Sequence, residues 1–215
     1  MMSKVMLAIP VGIGVAAAIF AVVYFGANEP ESGDFTISEL VALGSPYMGD
    51  KSAPITIIEF GDYQCTYCYK FHKDSLGIIQ KEYIDSGKAS LVFVDFTLNG
   101  PDSVLAAEAT HCANEQGKFW PMHDVIYRSW KGERTGWVTR DSITQFAQAA
   151  EVDTMSLNEC LDSKKYHQRV LDTYEFAQGI EINATPSFLV ISGDKITKIT
   201  GNQPLEVFRK VLDGM

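Results

Sequence analysis

The chain has 215 residues, 46% of them hydrophobic, a formal charge of −9 and a pI near 4.9. That length supports one well-buried core with elaborations and hardly two full domains. The acidic balance, with no clustered Lys or Arg, argues against a nucleic-acid partner, and no internal repeat is visible.

Residues 5–27 carry no charged side chain over 23 positions. As a helix rising about 1.5 Å per residue they would span roughly 34 Å, enough for a hydrocarbon core of about 30 Å. Lys4 precedes the stretch, whereas Glu29, Glu31 and Asp34 follow it. The positive-inside rule therefore puts the N-terminus in the cytoplasm and the rest outside, as in a single-pass cell-membrane protein with its anchor within residues 1–27. The rival reading is a cleaved signal peptide. Its usual apolar core is shorter, and Phe25-Gly26-Ala27 sets a bulky residue where cleavage needs a small one.

Residues 28–52 are acidic and rich in Gly, Ser and Pro, with one apolar patch at Ile37–Leu43, and read as an extracytoplasmic tether. Beyond the anchor 17 basic residues face 27 acidic ones, so stand-off from anionic lipid suits this surface.

The core begins at residues 55–60, a short apolar and β-branched run that reads as a buried strand. From 65 to about 85 the pattern is helical, with Phe71, Leu76, Ile79 and Tyr83 on one face and Gly87 closing it. Residues 90–96 form a second strand, which makes a βαβ unit with a right-handed crossover and a parallel pair. A helical segment fills about 102–180, broken at Gly117, at the 131–136 loop and at 151–153. Thr139 is its candidate N-cap, and Ser156 with Glu159 matches a capping box. Residues 186–191, a turn at Gly193-Asp194 and the run 195–200 give two more strands. A closing helix carries Leu205, Phe208, Val211 and Leu212. The class is α/β, in the order β-α-β, helical insertion, β-β-α.

The chemistry concentrates in Cys65-Thr66-Tyr67-Cys68 at a strand-to-helix junction. A thiol at a helix N-terminus is favoured as thiolate by the macrodipole, and thiolate is the nucleophile of disulfide exchange. Cys65 is thus the attacking, more exposed sulfur and Cys68 the resolving one. Two alternatives stand beside this redox pair. An inert structural bridge would close so small a loop that it gains little. A zinc site could use Cys65, Cys68 and His72, with His111, Cys112 or His123 as a fourth ligand, but no second paired motif closes it. No metal or other cofactor is expected.

Three segments carry a family resemblance: Ile57-Ile58-Glu59-Phe60-Gly61-Asp62-Tyr63-Gln64 leading into the cysteines, residues 111–120 from His111 to Trp120, and Ala184-Thr185-Pro186-Ser187-Phe188. Through them the chain resembles the DsbA-like thiol:disulfide oxidoreductases over residues 53–215. The resemblance implies a thioredoxin-like fold carrying a helical insertion. It also implies a cis Thr185-Pro186 bond facing the cysteines, a substrate strand docked on the backbone before Pro186, and reoxidation by a membrane quinone-linked partner. It departs from the family in having Thr66 where proline is common and Ala184 where glycine is common, which bears on redox potential.

Glu59 is ionisable within an apolar strand. Burial would raise its pKa and let it exchange a proton with Cys68, whereas an outward-facing strand residue would do neither. Cys112 and Cys160 lie on separate predicted helices. In an oxidising compartment they are expected to pair, as an extra bridge does in some members of the resembled family, with buried free thiols as the alternative. Trp120, Trp130, Trp137 and Tyr127 read as core aromatics of the insertion. The resulting expectation is an oxidase that introduces disulfides into exported polypeptides. Disulfide isomerase or reductase, thiol peroxidase and a non-catalytic membrane-tethered binding module remain as alternatives.

Overall fold

The structure, a computed structural model, describes residues 36–215. The expected anchor at 5–27 lies outside these residues. Among the described ones no helix is long and apolar enough to cross a membrane.

A four-stranded sheet in the order β2-β1-β3-β4 forms the centre, built from β1 (Ile55–Gly61), β2 (Ala89–Asp95), β3 (Ser187–Ser192) and β4 (Lys195–Thr200). β1 and β2 run parallel, whereas β3 is antiparallel to both β1 and β4. Alternation along β1 sorts its side chains between two apolar layers. Ile55 and Ile57 pack with Phe71, Ile79, Phe188 and Phe208, whereas Ile58 and Phe60 pack with Leu40, Val92, Ala177 and Leu189. The first layer is covered by the helix after the cysteines and by α9 (Leu205–Asp213), the second by α1 (Ile37–Leu43) and α8 (His167–Gly179).

The helix after the cysteines alternates two windings. α2 (Thr66–Phe71) passes into a π turn (His72–Leu76), then α3 (Gly77–Ile79), then a second π turn (Gln80–Ile84). Gly87 ends it in the left-handed region, with φ +74°, where a Cβ would be strained. The insertion comprises α4 (Pro101–Asn114), α5 (Phe119–Arg128), α6 (Arg140–Ala149), α7 (Thr154–Asp162) and α8. Cys112 on α4 is bridged to Cys160 on α7, with Cα atoms 5.9 Å apart.

Three local expectations are corrected. The segment read as a tether is folded from Thr36 onward. Thr36 and Glu39 form a capping box at α1, Leu40 is buried, and Met48 pairs with Leu91 on the outer edge of β2. α7 starts three residues before the expected capping box: the N-cap is Asp153, whose side chain accepts from the Ser156 amide, because an aspartate caps as well as a serine and comes first in the chain. The chain also breaks between α7 and α8, where Lys164 takes φ 54° without a Gly or Pro to announce it.

Candidate active site

The β1-to-α2 turn is built around Asp62. Its Oδ1 accepts from the Gln64 amide and the Ser103 hydroxyl, both at 2.7 Å, and its Oδ2 accepts from the Asn99 amide at 2.8 Å. Burial nevertheless raises its pKa, outweighing these bonds. Gly61 is required just ahead, since a Cβ there would lie 2.3 Å from the Phe93 ring. The Gln64 side-chain amide donates to Asn99 O and Ser103 Oγ. Its backbone carbonyl accepts from Trp130 Nε1 at 2.9 Å.

Cys65 is the N-cap of α2, with Sγ accepting from the Cys68 amide at 3.4 Å and its thiol 3.4 Å from Thr185 O across the sheet end. Thr185-Pro186 is a cis peptide bond. Both motif cysteines are thiols; Cys65 is 4% exposed and Cys68 fully buried. The Cys68 side chain's hydrogen bond to Cys65, together with Thr185 and the Cys68 and Tyr67 amides, outweighs burial and lowers the Cys65 pKa to about 7. Burial and the neighbouring Cys65 push Cys68 well above its ordinary value. One sulfur is thus disposed to ionise and its partner to stay protonated.

Glu59 lies on the Ile57 face of β1 and not on an outward one. Its ladder neighbours are Phe93 and Phe188, and it is 2% exposed. Desolvation between those rings, and then the charge of Cys65, raises its carboxyl to about 8. Tyr127 and Tyr63 close the same buried region: Tyr127 Oη donates to Asp62 O, and Tyr63 Oη lies 3.0 Å from His123 Nδ1.

The histidines and Cys112 that a zinc reading would gather do not converge on one point, although the His72 and His123 rings lie 5.8 Å apart. His72 faces Asp124, His111 faces Asp95, His123 faces Tyr63, and Cys112 is spent in its bridge. Among the described residues no group of three or more metal-ligating side chains is gathered. Of the aromatics read as core, Trp130 also stacks on Tyr69 at 4.6 Å and anchors the cysteine turn through Gln64. Asp62, Gln64 and Glu133 carry no sign in the sequence that marks them as site residues, beyond the place of the first two in the resemblance motif.

A low-pKa thiol at a helix N-terminus, a buried partner three residues on, a buried carboxyl and a cis-proline loop make an arrangement suited to dithiol exchange on a thioredoxin-like sheet. Comparisons agree. A family model described as Thioredoxin matches residues 42–214. Disulfide bond formation protein D of Bacillus subtilis is 31% identical over 175 residues, covering 80% of this chain and 78% of that protein. Among solved structures, oxidised BdbD from Bacillus subtilis aligns with TM-score 0.72 and 27% identity over 87% of this chain and 98% of that one. Wolbachia pipientis α-DsbA1 aligns with TM-score 0.69 and 26% identity, over 78% and 88%. The chain belongs to the thioredoxin superfamily as a DsbA-like thiol:disulfide oxidoreductase, and its substrates are proteins undergoing disulfide exchange.

Proposed function

We propose that the protein is a disulfide oxidase of exported polypeptides, held at the outer face of the cell membrane by residues 5–27 and reoxidised by a quinone-linked membrane partner. The observation that carries it is the pairing of opposed thiols. Cys65, at about 7, sits against the Thr185 carbonyl, whereas Cys68 is buried and held protonated. The name of the Bacillus subtilis relative supports the direction, and the charge-free stretch at 5–27 supports the location.

In the oxidised enzyme a substrate thiolate attacks Cys65 Sγ, breaking the Cys65–Cys68 bond and forming a mixed disulfide. A second substrate thiolate then displaces Cys65, leaving a substrate disulfide and the dithiol enzyme. Cys65 leaves readily because it is a good thiolate, and Glu59 supplies the proton that Cys68 takes up. The loop at Thr185 and Pro186 presents backbone to the substrate strand.

One observation favours a reductase or isomerase as the second reading. An ionisation at about 7 matches thioredoxin, also about 7, better than DsbA at about 3.5. Equilibrating the purified protein against glutathione decides between them. The oxidase reading expects a potential well above about −260 mV and below about −120 mV, and a value near or below about −260 mV assigns the protein to reduction.

A further inference from the structure

α2 begins with three free amides, on Thr66, Tyr67 and Cys68. The second and third turn to the Cys65 sulfur. The first donates to Glu133 Oε1 at 2.7 Å, a carboxylate from the insertion 67 positions away. This contact is held in place. Trp130 Nε1 donates to Gln64 O, the Arg134 amide donates to Gln64 Oε1 at 3.0 Å, and Trp137 Nε1 donates to Gly132 O at 2.9 Å. Residues 130–137 thus clamp Gln64 and Thr66 on both sides of Cys65.

We propose that Glu133 is a potential-setting residue: its carboxylate shares the α2 N-terminus with the Cys65 thiolate, weakens that thiolate and keeps the couple from becoming a stronger oxidant. A helix terminus stabilises negative charge through its free amides, and here one amide already serves a fixed anion. When Cys65 ionises, a second negative charge arises beside the first, and like charges disfavour each other. The other ionisable groups around the sulfur are Cys68 on its own helix, which hydrogen-bonds it, and Glu59 from β1 and Tyr127 from α5, whose pKa values the Cys65 charge raises. The proline loop brings only the uncharged Thr185. Arg134, next to Glu133, turns its guanidinium to Leu98 O, and no ion pair joins the two among the described residues. Glu133 is exposed, so its influence is open to screening by salt.

The inference rests on Cys65 and Cys68 being the redox couple. Reduction by glutathione converts the Cys65–Cys68 disulfide and two glutathione thiols into the dithiol and one glutathione disulfide, so a better Cys65 thiolate shifts this equilibrium toward the dithiol. Two variants of the full chain separate charge from hydrogen bonding: Glu133→Gln keeps an acceptor for the Thr66 amide, and Glu133→Ala removes it. Thiolate absorbance followed against pH should show Cys65 ionising about half to one unit lower in both variants. With the wild-type sulfur at about 7, that moves the glutathione equilibrium roughly twofold to fivefold toward the dithiol at pH 7. The difference from wild type should shrink in 1 M salt. A Glu133→Gln variant with wild-type ionisation and equilibrium would overturn the proposal, leaving Glu133 as a helix cap whose loss shows only as lowered stability in Glu133→Ala. Were the redox assignment itself wrong, thiol mapping of the wild type would show no reducible couple at Cys65 and Cys68, as distinct from the Cys112–Cys160 bridge, a failure visible before any variant is compared.

Discussion

At the residue scale, Glu59 and Cys65 impose opposite pH dependences. Glu59 ionises at about 8 in the fold against 4.5 as a free carboxyl, so the folded state holds a proton that the unfolded chain has released. Its contribution to stability is therefore lost as pH rises from about 4.5 to 8, by on the order of 5 kcal/mol at the top of that window. Cys65, lowered from 9.0 to about 7, works the other way, adding stability to the dithiol form between those values as pH rises. Glu59→Gln compared with wild type, both with the Cys65–Cys68 disulfide formed so that neither cysteine titrates, isolates the part of the Glu59 effect that burial causes. Denaturant unfolding should find the variant more stable at pH 8.5, with the difference fading by pH 4.5. Cys68→Ala should accumulate mixed disulfides through Cys65, because attack survives and resolution does not; equal trapping through Cys68 in Cys65→Ala would reverse the roles.

The cysteines and Glu59 stand out as candidates because a paired thiol motif and an acid in an apolar strand are anomalies in one dimension, and the fold buries all three. Gln64 and Glu133 do not. An exposed glutamate on a loop looks like any other until the fold carries it to the Thr66 amide.

At the scale of elements, the clearest dependence is the bridge joining α4 to α7. Cys112 and Cys160 are 48 residues apart, and closing a loop of that length contributes about 4 kcal/mol through the unfolded chain. Replacing both with serine should lower unfolding stability by up to that amount in denaturant titration, while the Cys65–Cys68 couple exchanges with glutathione as before. A loss of redox exchange with stability intact would contradict this division between scaffold and site. Gly61 ties the β1 end to β2 in the same way: Gly61→Ala drives a methyl into the Phe93 ring and should cost about 1–3 kcal/mol in the same titration.

Element types and order were readable from periodicity and punctuation, and Gly87 and Thr139 marked real boundaries. Other features carried no local signal. The π turns at His72–Leu76 and Gln80–Ile84 keep the same apolar face as an α-helix. The break at Lys164 uses a residue with no turn preference. α1 is too short to stand alone, and its order comes from Leu40 packing on the sheet and from the Arg169 guanidinium holding Ala42 O and Gly44 O.

At the scale of the whole molecule, the α/β order led to the thioredoxin-like sheet because a βαβ unit followed by a hairpin leaves few arrangements. The proposed placement at the membrane rests on the charge-free sequence of residues 5–27. The protein should remain in membranes after alkaline carbonate washing, with its C-terminal domain open to protease from outside; a soluble chain starting near Asn28 would instead mark a signal peptide.

Transfer of a disulfide from Cys65 and Cys68 to proteins can be followed by mixing the oxidised protein with reduced, unfolded ribonuclease and counting thiols on both sides. One ribonuclease disulfide should form for each Cys65–Cys68 pair reduced, and Cys65→Ser and Cys68→Ser should each abolish this exchange. Absence of transfer from the wild type, or transfer persisting in Cys65→Ser, would contradict this role for the two cysteines.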